Sequence, residues 1–175
     1  MADRQALRDL QARLADRLRA TRTEERKQSW LAVECGSERH GFLFPLPEAG
    51  EIFAMAPLMR VSHTHRWFLG VANLRGAVTG VVDLAGFLGL RASTEAPPEQ
   101  ARLIGLNAAF ELNCALLVDG LAGLRNAEQL TLVPTDPQPR PAFAGDRYRD
   151  EQGRVWQELK LSPLAVDEAF LAIVQ

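Results

Sequence analysis

The spacing of apolar side chains changes once along the chain, near Trp30. Before it, Leu7, Leu10, Leu14 and Leu18 recur at intervals of three and four, which predicts an amphipathic helix over residues 1–28. Its apolar stripe is one leucine wide, and Asp9 and Arg13 add a favourable i,i+4 pair. Such a helix suits a docking seam and not a core. From Trp30 the period falls to two. Leu31, Val33 and Cys35 alternate with Ala32 and Glu34, Gly36-Ser37-Glu38-Arg39 turns the chain, and Phe42, Phe44 and Leu46 alternate back. Pro45 and Pro47 mark a strand end or a sheet edge.

Farther on, Glu51-Ile52-Phe53 and Leu58 to Val61 read as short strands. Two apolar runs, Trp67 to Ala72 and Ala77 to Val82, flank Asn73-Leu74-Arg75-Gly76. Runs of this kind predict strands buried on both faces, joined by a tight reversal in which Asn and Gly take positive backbone angles. A guanidinium therefore stands at the tip of a stiff, otherwise apolar hairpin. Leu84 to Leu88 predicts one helical turn closed by Gly89, and the polar Arg91–Gln100 stretch is the expected joint between subdomains. Arg102 to Leu106 and Leu112 to Asp119 are strands, the second ending in a Val-Asp that echoes Val82-Asp83. Leu121 to Leu132 holds further short strands, and Pro134 to Pro141 is an exposed extended loop. Asp150 to Gly153 turns into a strand at Val155, and Ser162-Pro163 caps a closing helix through Phe170 and Leu171. Many short strands with a helix at each end predict a mainly β barrel or sandwich.

Composition narrows the function classes. A chain of 175 residues, 47% of them hydrophobic, can bury a substantial core. Its net charge of −2 argues against a general nucleic-acid binder, although residues 1–28 are basic and the remainder acidic. With no apolar leader and no run long enough to cross a bilayer, the chain is expected to be cytoplasmic. Cys35 and Cys114 each sit among aliphatics, which suits buried structural thiols and not a disulfide framework or a nucleophile. His63-x-His65 offers two ligands where zinc wants three or four, and His40 is the sole other histidine. Asp83 and Asp119 end apolar strands, where capping the next turn is the commoner task. Gly70 to Gly76 is followed by a strand pattern and so fails the context test for a phosphate or dinucleotide loop. No catalytic residue, cofactor or metal site is therefore expected. What remains is a binding surface. Arg75 is its first candidate because Arg is enriched at interface hot spots; Leu121 and Leu124 join it only if they border a groove.

These residues resemble the CheW-like coupling domain of bacterial chemosensory systems. Gly70-Val71-Ala72-Asn73-Leu74-Arg75-Gly76 is similar to that family's densest motif, and Val82-Asp83-Leu84, Leu88-Gly89, Pro45-Leu46, Glu51-Ile52 and Val118-Asp119-Gly120 follow its pattern in order. Within the family, the Trp67–Asn73 and Asp83–Gly89 stretches resemble the branch serving type IV pilus twitching motility. The resemblance implies two packed five-stranded β-barrel subdomains over residues 29–175 and no catalysis. It also implies a cytoplasmic adaptor, recruited to membrane-associated arrays, that bridges a methyl-accepting chemoreceptor and a CheA-type histidine kinase. Carried over by position, Glu51, Gly70, Asn73, Arg75 and Gly76 fall to receptor or kinase coupling, and Leu121 and Leu124 line the receptor groove between the subdomains. Gly80 stands where the family usually has Pro, and Ala49 and Ala115 replace its usual Val and Gly. Flagellar chemotaxis coupling and a ligand-sensing role for the groove are the alternatives.

Overall fold

The computed structural model describes residues 29–92, 95–134 and 139–175; the expected leading helix lies outside them. Eleven strands occur among the described residues: β1 Ser29–Cys35, β2 His40–Pro45, β3 Ala49–Ala54, β4 Phe68–Leu74, β5 Ala77–Asp83, β6 Arg102–Leu106, β7 Cys114–Val118, β8 Gly120–Asn126, β9 Leu130–Val133, β10 Ala144–Asp150 and β11 Val155–Leu159. They form two sheets, one six-stranded in the order β8-β1-β2-β11-β10-β9 and one five-stranded in the order β3-β6-β7-β5-β4. The fold is mainly β, as expected, with six strands in one sheet instead of five. Three single-turn α-helices, α1 Leu84–Phe87, α2 Leu161–Leu164 and α3 Glu168–Leu171, and two 3-10 turns, Ala108–Phe110 and Ala127–Gln129, lie between or after the strands.

Strand periodicity explains how the central strands of both sheets are buried on both faces. Leu31, Val33, Phe42, Phe44 and Leu159 from the larger sheet meet Val82, Ile104, Leu116 and Val118 from the smaller one in a central core, completed by Leu161, Leu164 and Phe170. Their sequence neighbours point the other way. Trp30, Ala32, Leu43 and Trp156 form a second cluster behind the larger sheet. Leu74, Val81, Leu103, Ala115 and Leu117 form a third behind the smaller. Glu51 on β3, one edge of the smaller sheet, forms an ion pair with Arg75 in the turn that leaves β4, the other edge.

Four expectations need correction. Leu58 to Val61 is not a strand: only Met59 makes a bridge, to Val71, because the polar residues beyond it have no second edge to join. No single helix closes the chain. Lys160 and not Ser162 precedes α2, Ala165 ends it, and Asp167 starts α3 by accepting a hydrogen bond from the Phe170 amide at 3.1 Å. The Arg91–Gln100 stretch runs between β5 and β6, two strands of one sheet, so the chain changes sheets at residues 46–48 and at Asp119 instead. Positive backbone angles in the β4–β5 reversal belong to Arg75 and Gly76, not to Asn73.

Candidate functional site

The β4–β5 hairpin is built by its two central residues. Leu74 pairs with Ala77, leaving Arg75 at φ 50° and Gly76 at φ 87°. Two successive left-handed residues make the turn whose twist matches that of the strands. Asn73 stays in β4 and turns its side chain to the loop, where its Oδ1 accepts a hydrogen bond from the Gly76 amide at 2.7 Å. Arg75 is 75% exposed and pairs with Glu51 on β3. Exposed Val78 lies on the strand leaving the turn, and half-exposed Ile52 follows Glu51. Gly70 plays a different part: at φ 128°, in an irregular stretch of β4, it lets the Met59 carbonyl approach so closely that any side chain would overlap it.

Leu121 and Leu124 lie elsewhere, on β8 at the edge of the larger sheet. Three residues apart, they would face opposite sides of a regular strand. A bulge corrects this. Leu31 pairs with Leu124, Ala32 with Gly123 and Val33 with Leu121, leaving Ala122 as the extra residue. Both leucines thus share the face of Leu31 and Val33 and continue the central core outward, at 43% and 59% exposure. The structure therefore joins Glu51 to Arg75 and Asn73 to Gly76, and places the two leucines as a separate apolar shelf on the other sheet.

Beside Leu121 opens a furrow of about 690 Å³, lined by Glu34, Gly36, Arg39, Arg91, Asp119 and Arg102 among others. Its floor holds an ionic cluster of which Arg91 is the centre. The parallel pairing of β5 with β7 sets Asp83 beside Leu117, so the two Val-Asp strand ends lie side by side. Arg91 reaches both: its Nε is 3.0 Å from Asp83 Oδ2, and its guanidinium also pairs with Asp119. Asp83 Oδ1 is buried without a hydrogen-bond partner. Burial pushes the Asp83 carboxyl above its ordinary range, and the charge of Arg91 does not fully offset that. Glu34, on β1, goes the other way. Burial would raise it too, but hydrogen bonds from Arg154 and Arg39 outweigh the cost and hold its carboxyl below the usual value.

The sequence did not point to Arg91, which sits in a polar stretch. Its signal was the repeated Val-Asp, whose two carboxylates hold one guanidinium. Cys35 and Cys114 are buried. Burial raises the Cys114 thiol to about 12 and drives that of Cys35 well upward, so both stay protonated. Among the described residues no cluster of three or more His, Cys, Asp or Glu could hold a metal ion, and no helix is long and apolar enough to cross a membrane.

A family model described as the CheW-like domain matches residues 29–169. Protein PilI of Pseudomonas aeruginosa is 28% identical over 156 residues, covering 86% of this chain and 83% of that protein. The probable chemotaxis protein CheW of Rhizobium etli is 28% identical over 125 residues, 71% of this chain and 70% of its own. Among solved structures, scaffolding protein TtCheW from Thermoanaerobacter tengcongensis superposes with a TM-score of 0.66 at 16% identity, over 83% of this chain and 97% of that one.

Proposed function

The chain belongs to the CheW-like domain family and is a coupling scaffold of chemotaxis-type signalling, and on that premise we propose that it joins a chemoreceptor to a CheA-type histidine kinase in a pathway controlling type IV pilus twitching. The observation that carries this reading is the family match across residues 29–169; the exposed guanidinium of Arg75, in the turn of the β4–β5 hairpin and paired with Glu51, supports it as a contact point. The likeness to PilI over most of both chains supports the pilus branch. The apolar shelf at Leu121 and Leu124 supports a helix-in-groove contact, which needs an apolar trough with a few polar anchors. Signalling then passes through the geometry of the assembly, and the chain acts without a reaction of its own.

Arg75→Ala tests the reading. An exposed ion pair contributes about 0–1 kcal/mol to folding, so the variant keeps its fold. It should bind the receptor tip or the kinase at least ~10-fold more weakly, a loss of about 1.4 kcal/mol. Full retention of binding to both partners would remove Arg75 from the interface. The likeness to the probable chemotaxis protein CheW of Rhizobium etli supports a second reading as a chemotaxis coupling protein, for which we take flagellar output as the alternative to the pilus. Deleting the gene separates them: the pilus role predicts lost twitching with swimming intact.

A further inference from the structure

We infer that Arg91 is a positioning residue that holds the two walls of the Leu121 furrow at a fixed separation, and so sets the shape a partner helix must match. The inference rests on the coupling role proposed above and names a residue that role did not include.

Three contacts make Arg91 a clamp between the sheets. On one side is Asp83, the last residue of β5 in the smaller sheet. On the other is Asp119, at the crossing into the larger sheet. Asp119 is itself tied to that sheet twice: its amide donates to the Glu34 carbonyl at 2.9 Å, and its Oδ2 accepts from the Gly36 amide at 2.5 Å. Arg91 also donates to the Ala96 carbonyl at 3.4 Å, which hangs part of the furrow's wall from the same guanidinium. Leu121 follows Asp119 by two residues. A shift of Asp119 therefore moves the apolar shelf directly.

The cluster is poorly suited to stability alone. Its side chains are almost fully buried, with Arg91 at 6% exposure. Removing ions from water is costly, and a well-packed apolar group often replaces a buried ion pair without loss. Asp83 Oδ1 is left without a partner, which adds a desolvation cost that a purely structural cluster would avoid. What the arrangement does provide is direction. A guanidinium presents its donors in a fixed planar fork, so the hydrogen bonds of Arg91 to Asp119 and to the Ala96 carbonyl fix its angle on that side, while Asp83 is held by charge at 3.0 Å from an Nε that makes no hydrogen bond. A Lys ammonium would keep the charge and lose the angle.

The test uses spin labels at Ser37→Cys and Gln100→Cys in the full-length protein; both residues line the furrow, the first from the β1–β2 turn of the larger sheet and the second from the segment entering β6 of the smaller. Cys35 and Cys114 are buried and stay unlabelled. In the native background the label-to-label distance distribution should be narrow. It should broaden in Arg91→Lys, and in a neutral triple variant (Asp83→Asn, Arg91→Gln, Asp119→Asn) that leaves no unpaired buried charge if the single variant fails to fold. A second arm measures binding of the same folded variants to a chemoreceptor signalling tip and to the kinase. Receptor affinity should fall ~10-fold or more while kinase affinity stays within twofold, a split that general destabilisation would not produce. An unchanged distance distribution overturns the inference, and so does a broadened one with unchanged receptor affinity. If the native protein fails to bind the tip at all, the coupling role falls, and the distance measurement alone still decides whether Arg91 fixes the furrow.

Discussion

At the scale of single residues, two glycines and two buried carboxylates separate what the backbone needs from what the surface offers. Gly70 and Gly76 both have positive φ, but only Gly70 faces another chain segment. Gly70→Ala must push against the Met59 carbonyl as well as bear the strain of φ 128°, and a loss of about 3 kcal/mol or more follows. Gly76→Ala meets open space and should cost about 1 kcal/mol, the backbone term alone. Urea denaturation of the two variants checks the difference. Glu34 carries a pH signature. Its folded-state carboxyl lies below the ordinary 4.5, so the stability it contributes is complete above that value and is lost as pH falls through the lower folded one. Glu34→Gln should flatten the acid limb of the stability curve below about pH 4.5, as followed by thermal melts. Asp83 has the opposite sign: its raised carboxyl favours the folded state below the ordinary value of 3.8 and disfavours it as pH rises through the folded one. It therefore works against the Glu34 effect at low pH.

At the scale of elements, legibility followed side-chain burial. The strands with strong alternation or continuous apolar runs, β1, β2, β4, β5 and β7, were readable because each buries one or both faces. β10, Gly-Asp-Arg-Tyr-Arg-Asp after its first Ala, was not, because its backbone pairs with β9 and β11 while most of its side chains stay in solvent. The bulge in β8 was equally invisible, since a lone Gly between two leucines has no distinctive pattern. That bulge decides the candidate groove. Gly123 takes φ 90° opposite Ala32, and any other residue there bears left-handed strain. Gly123→Ala should cost about 1 kcal/mol and favour a regular strand in which Leu124 leaves the face of Leu31. Leu124→Glu leaves the backbone alone and touches only an exposed position, so stability should stay within about 0.5 kcal/mol. If the shelf takes a receptor helix, both variants lose receptor binding although only the first loses stability. Retained binding in both would place the receptor contact elsewhere.

At the scale of the whole molecule, chain order makes each sheet depend on the other. The larger sheet takes β1 and β2 from the start of the described chain and β8 to β11 from its end, while the smaller takes β3 to β7 from between. Closing the larger sheet thus requires the intervening segment to be folded already or to fold with it. The central core adds a second dependence, because its side chains come from both sheets. Cys35 on β1 and Cys114 on β7 report on this directly, since each belongs to a different sheet and both are buried in that shared core. Each thiol reacts only when its surroundings open, and the opening free energy can be read from its labelling rate against that of the unfolded chain. Cys35→Ala and Cys114→Ala variants, each keeping one thiol, should give opening free energies that agree once each is corrected for its own change in stability. They should also match the global unfolding value from denaturant melts. A Cys114 that labels well before Cys35 would mean that the smaller sheet opens by itself, and the two sheets would then be separable units joined by a weak seam.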